Sequence, residues 1–252
     1  MFKWNEHNER SLLQLRDEEK LTYREIAERL GTTISSVKHK YVRLNQVSNE
    51  DRHHHPKEKS EQIRRVLTGD ELNILETNAG RGNLTAVYRE YGTVTAQEID
   101  GKKVKEINDR GWKEVTAIKC DSFREIHRHI CERKVFDVID LDPYGFPSRF
   151  FPHVFELIID GVLFVTFPKL GVQQINKITQ EHYRVFWGIS LSDKRRYEDK
   201  IHSKIRDFGL MHYRDVDLIE RVDLGRMFRY AYRVRRESAL KLVGLEVKRG
   251  GS

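Results

Sequence analysis

From Leu72 onward the chain alternates short apolar runs with amphipathic stretches, and this alternation constrains its fold more than any other feature. "LNILE" precedes a glycine loop and "LTAVYREY", "TVTAQEI" precedes "GKKVKEINDRG", and "EVTAIKC" precedes "SFREIHRHICER". "VFDVIDLD" then precedes "SRFFPHVFELIID", and "GVLFVTF" precedes "GVQQINKITQEHY". Strands that are apolar throughout must be covered on both faces, so strand–helix units in succession predict a doubly wound parallel sheet. The end breaks the pattern. "LMHYRDVDLIERV" and "RMFRYAYRV", joined by "DLG", read as an antiparallel hairpin closing the sheet.

Before this region lies a different grammar. "TYRE" at Thr22–Glu25 is a capping-box pattern, with Thr22 accepting from the first turn and Glu25 reaching back. The helix it starts places Ile26, Ala27 and Leu30 on one face, and Gly31 stops it. "ISSVKHKYVRL" follows, with Ile34, Val37, Tyr41 and Leu44 at helical spacing and Ser35, Ser36, Lys38, His39, Lys40 and Arg43 on the other face. A helix, a tight turn and a second helix with a polar, basic face describe a helix-turn-helix. The spacing of Trp4, Leu12, Leu15, Tyr23, Ile26-Ala27, Leu30, Val37-Lys38 and Tyr41 resembles the Myb/SANT-like family, which implies DNA binding by the third helix. The expected division is residues 1–45 as this small all-α domain, 46–60 as a polar linker including His53, His54 and His55, and 61–252 as the α/β domain.

Charge agrees with a polyanionic partner. The chain carries a formal net charge of +7. The segment from Lys194 onward accounts for the excess, and "KRGGS" at its end reads as a flexible tail. No apolar stretch reaches the roughly 20 residues of a membrane span, and the N-terminus has no signal-peptide core. Two cysteines, Cys120 and Cys131, make no disulfide framework and suit a reducing cytoplasm, in a prokaryotic or virus-encoded protein. His127 and Cys131, four apart on a helix, lack the second pair that a metal site needs.

The loop "ETNAGRGN", Glu76–Asn83, connects the first strand to the first helix. Glycine belongs where a ligand must approach the backbone closely. A dinucleotide loop would place Gly or Ala at the third glycine position, which here is Thr85. Glu98 closes the second strand, where a carboxylate suits the two hydroxyls of a ribose, with Asp100 as the alternative. Asp121 closes the third strand, beside Ser122 and Phe123. The pattern Glu-x-x-x-Gly-x-Gly resembles the first motif of S-adenosylmethionine-dependent methyltransferases. That resemblance implies a Rossmann-like methyltransferase sheet and S-adenosylmethionine as cofactor, with S-adenosylhomocysteine as product. It further implies cofactor contacts at Glu76, Thr77, Asn78, Gly80, Gly82, Asn83, Glu98, Asp121, Ser122 and Asp140.

"DLDPYG", Asp140–Gly145, ends the fourth strand. The lone pair of an exocyclic amine is delocalised into its base, so a carboxylate accepting an N–H bond favours the reactive pyramidal form. Asp142 is placed for this, and Pro143 stiffens the turn. Tyr144 offers a stacking face to an extruded base, and Gly145 keeps the pocket wall open. The stretch resembles the Asp/Asn-Pro-Pro-Tyr/Phe motifs of amino-methyltransferases acting on adenine N6 or cytosine N4, with its aromatic third instead of fourth. It also resembles the Asp-Pro-Phe/Tyr-Gly variant of tRNA guanine-N2 methyltransferases, whose following strand is echoed by Gly161–Thr166. The expected activity is methyl transfer to a base amine of double-stranded DNA, with RNA methylation or a ligand-sensing regulator as alternatives, in a monomer or homodimer. A further nucleic-acid contact is expected at Lys194, Arg195 and Arg196, with Tyr197 and Phe208 interleaved and Arg226, Arg229, Arg233, Arg235 and Arg236 extending the surface.

Overall fold

The computed structural model describes Phe2 and residues 4–169, 177–189 and 197–236. It divides into two compact units, Met1–Pro56 and Lys57–Ser252.

In the first unit, α1 (Glu6–Leu13) runs into a π-helical turn at Gln14–Glu18, followed by α2 (Tyr23–Leu30) and α3 (Ile34–His54). The capping box forms as the sequence predicts: Thr22 N donates to Glu25 Oε2 at 2.7 Å and Glu25 N to Thr22 Oγ1 at 3.3 Å. Gly31 stops α2 in the left-handed region at φ 65°. Leu12, Leu15, Ile26, Ala27 and Val37 make the core, with Trp4, Tyr23, Leu30, Tyr41 and Leu44 packed around it.

The segment expected as a linker is helical instead. No glycine or proline interrupts the chain between Ile34 and His54, so α3 continues through it. It ends at His55 (φ 50°), directly before Pro56, where a following proline disfavours further helix. Pro56 opens α4 (Pro56–Val66), a helix that buries Lys59, Gln62, Ile63 and Val66. Those four lie at i, i+3, i+4 and i+7, a helical stripe disguised by its two polar members.

The second unit is a mixed sheet: β1 (Leu72–Thr77), β2 (Gly92–Glu98), β3 (Val115–Lys119), β4 (Val138–Leu141), β5 (Gly161–Pro168), β6 (Arg214–Asp223) and β7 (Met227–Arg236). Among the described residues its order is β3-β2-β1-β4-β5-β7-β6. The first five strands are parallel, and β6 and β7 form the expected antiparallel hairpin, with β7 beside β5. Its first strand begins later than expected. Leu210 and Met211 still belong to α10 (Tyr197–Met211), and only Arg214 starts the strand. The covering helices are α5 (Thr85–Tyr88), α6 (Gly101–Asn108), α7 (Ser122–Cys131), α8 (Phe151–Leu157) and α9 (Lys177–Trp187).

Alternation along each strand sorts side chains between two cores. Leu75, Ile139, Leu141, Leu163 and Val165 join Phe151, Phe155, Trp187 and Ile201 on one face. Ile74, Val138, Val162, Phe164 and Ala231 join Ile63, Val66 and Ile107 on the other. Tyr197 is buried in the first core and Phe208 packs against it, so neither lines a nucleic-acid surface as the sequence suggested. Their spacing is that of a helix face, which apolar contact claims first.

Candidate active site

At the carboxyl edge of this sheet the chain doubles back between β1 and β4, which are neighbours although far apart in sequence. Thr77 pairs with Leu141, so the loop after β1 and the Asp142 loop emerge side by side. Such a switch in strand order opens a crevice where α/β sheets bind their ligands.

The glycine loop is tied down from one side and open on the other. Ala79 N donates to Gln97 O at 2.8 Å, and Gly80 N donates to Glu98 Oε2 at 2.8 Å. Asn78, Gly80 and Gly82 all have positive φ, at 60°, 58° and 77°. A Cβ on Gly80 would meet no protein atom within 4 Å, whereas one on Gly82 would lie 2.9 Å from Ile107. Gly80 therefore borders open space, and Gly82 lets the loop pack on α6. Asn78 Oδ1 and Ser122 Oγ are buried without a hydrogen-bond partner among the described residues. Buried polar atoms ordinarily find partners, and these two have hydrogen-bonding capacity left over at the strand ends.

Each predicted cofactor residue can now be placed. Glu98 lies at the crevice rim, its Oε1 also accepting from Asp100 N at 2.9 Å. Asp121 caps α7 through Phe123 N at 2.9 Å and stands 3.6 Å from Arg149. Arg149 lies over the Phe123 ring at 4.5 Å. Asn83 is exposed. Thr77, Glu76 and Asp140 differ from expectation. Thr77 Oγ1 donates to the Asp140 carbonyl at 2.8 Å and is buried. Glu76 is buried and its carboxylate takes the Thr85 hydroxyl at 2.5 Å. Asp140, 0% exposed, is held by both terminal nitrogens of Arg229, at 3.0 and 2.7 Å, and by the Tyr88 hydroxyl at 2.7 Å. Period 2 explains the two acids. Glu76 and Asp140 share the inward face with Ile74, Val138 and Phe164, so they point beneath the loops and not into the crevice.

Arg229, read from sequence as a surface cation, is likewise 0% exposed. Its register decides this: Arg229 pairs with Thr166, two residues beyond Phe164, which pairs with Asp140. Its Nη1 also donates to Thr166 Oγ1 at 3.1 Å and its Nη2 to the Tyr88 oxygen at 3.2 Å. Burial opposes the guanidinium charge, but Asp140 and its neighbours outweigh it and hold Arg229 firmly protonated. Glu76, in contrast, makes no ion pair among the described residues, and burial outweighs the lowering effects of the Thr85 hydroxyl and Arg229. Burial pushes its carboxyl up to about 8, the negative charges of Asp140 and Asp142 adding to the effect.

Asp142 stands just beyond the end of β4 with its side chain 20% exposed. From α4, Lys59 reaches it, Nζ to Oδ2 at 2.5 Å, with the Lys59 side chain only 1% exposed. Burial alone would raise the Asp142 carboxyl. Lys59, Arg229 and the hydroxyl of Thr166 more than cancel this, and the group lies below its ordinary value. Asp142 is thus an ionised carboxylate at neutral pH, anchored from behind. Beyond it, Pro143 is partly covered, Gly145 sits at φ 122° and Tyr144 is 98% exposed. Lys59 was missed in the sequence because a lysine in a charged stretch reads as solvated; only its helical spacing with Ile63 and Val66 pointed inward.

On the first unit, Ser35, Lys38 and His39 are exposed on α3. Ser36 and Lys40 are not part of that face. Ser36 Oγ accepts from Trp4 Nε1 at 3.0 Å, and Lys40 pairs with Glu9 at 2.5 Å. The Arg43 side chain and Lys194, Arg195 and Arg196, together with the C-terminal tail, lie outside the described residues. His127 packs on Phe123 and His153, with ring centroids 4.9 and 4.5 Å away, and no cluster of three or more metal-ligating side chains occurs among the described residues. None of the described helices is long and apolar enough to cross a membrane.

Comparison with known proteins bears on both units. The family model "Sigma-70, region 4" matches residues 8–44, so the helix-turn-helix is similar to that family, where its apolar spacing had suggested the Myb/SANT-like one. The spacing is common to three-helix units and does not discriminate between them. A sequence search among curated proteins gives no match. Among solved structures, Trm1 from Pyrococcus horikoshii, in complex with S-adenosyl-L-methionine, aligns at TM-score 0.57 and 13% identity over 73% of this chain and 55% of its own. Trm5b from Pyrococcus abyssi aligns at TM-score 0.50 and 14% identity, over 71% and 48%. The chain thus spans about half the length of these two proteins. A SAM-dependent methyltransferase from Aquifex aeolicus aligns at TM-score 0.47 and 15% identity, over 77% and 97%. The α/β unit of this chain has a Rossmann-like methyltransferase fold, preceded by a helix-turn-helix.

Proposed function

We propose that the protein transfers the methyl group of S-adenosylmethionine to an exocyclic amine of a nucleobase in DNA, adenine N6 or cytosine N4, with the helix-turn-helix holding the DNA. The observation that carries this reading is the adjacency of an ionised, anchored Asp142 to a glycine loop bordered by open space.

The residues fit such a cofactor. Gly80, the buried Asn78 Oδ1, Ser122 Oγ, Glu98 and Asp121 would hold it along the ends of β1, β2 and β3. When bound, it supplies an activated methyl on a sulfonium, whose carbon–sulfur bond breaks as the amine nitrogen–carbon bond forms. Asp142 accepts an N–H of the incoming amine and turns its lone pair towards that carbon. Because the carboxylate is held below its ordinary value, its first task is orientation and charge stabilisation. The methylated nitrogen, now positively charged, then gives its proton to the Asp142 carboxylate, which passes it to solvent. Tyr144 is free to stack on an extruded base. Ser35, Lys38 and His39 lie where a recognition helix meets a groove.

One observation favours a second substrate. Asp142-Pro143-Tyr144-Gly145 matches the guanine-N2 form of the motif, which acts on RNA. Incubating the protein with labelled cofactor and either duplex DNA or tRNA, followed by mass spectrometry of the nucleosides, separates the two. Label in N6-methyladenine or N4-methylcytosine from DNA supports the proposal, and label confined to RNA replaces it. Asp142→Asn is expected to lower turnover at least about 100-fold with cofactor affinity within about twofold of wild type. Wild-type turnover in that variant would remove Asp142 from the reaction.

A further inference from the structure

The strongest unassigned feature is the ion pair behind Asp142. Its two members differ in kind: Lys59 is closed off from solvent and Asp142 opens on the crevice. Lys59 arrives from α4, outside the sheet and its crossover helices, on the same helical face as Gln62, whose Nε2 donates to the Arg229 carbonyl at 3.5 Å. Nearby, Asp140 has its own cation in the two-pronged contact with Arg229, so Lys59 serves Asp142. A buried ion pair is weak as a stabilising device, because desolvation offsets the attraction. A lysine kept at such a place needs another reason.

We propose that Lys59 is a positioning residue for methyl transfer, fixing the Asp142 carboxylate from the rear so that its open side meets the substrate amine. The inference rests on the role given above to Asp142. Lys59 does not touch the base, since nothing of it reaches the crevice surface. It acts by keeping Asp142 charged and in one orientation. The groups facing Asp142 are Lys59 on α4, Arg229 on β7, Thr166 on β5 and Glu76 on β1. Removing Lys59 leaves burial opposed only by Arg229 and the Thr166 hydroxyl. The carboxyl then rises, and the low-pH limb of activity rises with it.

The test compares Lys59→Met, Lys59→Arg and Asp142→Asn with wild type, all full-length, by kcat and KM against pH, cofactor titration calorimetry and thermal melting. For Lys59→Met, kcat falls about 10- to 100-fold. KM for nucleic acid and cofactor affinity stay within about threefold, while the low-pH limb moves up by about one to three pH units. Lys59→Arg restores most of the rate and the original limb. The inference is overturned if Lys59→Met keeps the wild-type rate and limb while Asp142→Asn is inactive, a result that leaves the proposed function standing. It is equally overturned if activity drops evenly at every pH and arginine does not rescue it. Wild-type turnover in Asp142→Asn instead overturns the proposed function, and this inference with it. Should Lys59→Met fail to fold, Lys59→Gln carries the same test, and failure of both to fold assigns Lys59 to the fold alone.

Discussion

Glu76 shows how one buried acid sets a pH response for the whole chain. In the fold its carboxyl titrates at about 8, against 4.5 for the unperturbed group. Between those values the folded state keeps a proton that the unfolded state releases. Stability therefore falls as pH rises through this window, with a limiting slope of about 1.4 kcal/mol per pH unit from this group. Below the unfolded value the contribution is fully present, and it is lost as pH passes the folded one. Glu76→Gln keeps a partner for Thr85 without an ionisable proton, so its denaturant-unfolding free energy should lack this slope and exceed wild type at pH 8. An unchanged slope in the variant would show that Glu76 is ionised in the fold. Arg229 poses the opposite case. Arg229→Met leaves Asp140 buried without its cation and should cost about 3–5 kcal/mol, read from the same unfolding curves.

Among the elements, α2 and α3 followed from local chemistry. Thr22→Ala removes the capping box of α2 and should destabilise the helix-turn-helix by about 1 kcal/mol, seen as a lower melting point of residues 1–56 without effect on the α/β unit. Lys38→Ala should reduce the slope of log affinity for DNA against log salt by about 1 if that side chain meets a phosphate. The strand–helix alternation, the closing hairpin and the meeting of Gly80 with Asp142 at one edge were legible because each rests on period or on strand order. What escaped was long-range register. Nothing in "RMFRYAYRV" tells that Arg229 lies opposite Thr166 and so reaches Asp140, since a strand's face is fixed only once its partner is chosen. Lys59 escaped for a related reason. Its charge argued for solvent, and only a cross-chain carboxylate makes burial tolerable.

At the scale of the molecule, the reacting edge draws on distant parts of the chain, with Lys59 from α4 and Arg229 from β7 meeting carboxylates on the strand-four segment. Removing residues 1–56 should weaken DNA binding while methyl transfer persists at high DNA concentration, because α4 and Lys59 remain. Cutting four residues further in deletes Lys59 as well and should depress the rate at any DNA concentration. A cut-site series assayed for methyl transfer distinguishes the two. The other terminus carries a consequence for synthesis. Asp140 is translated long before Arg229, so a nascent chain lacking its final hairpin can bury this acid only by protonating it. A product terminated ahead of Met227 lacks both the strand that covers the β5 edge and the guanidinium that Asp140 meets there, and is expected to be cleaved by protease faster than the full chain.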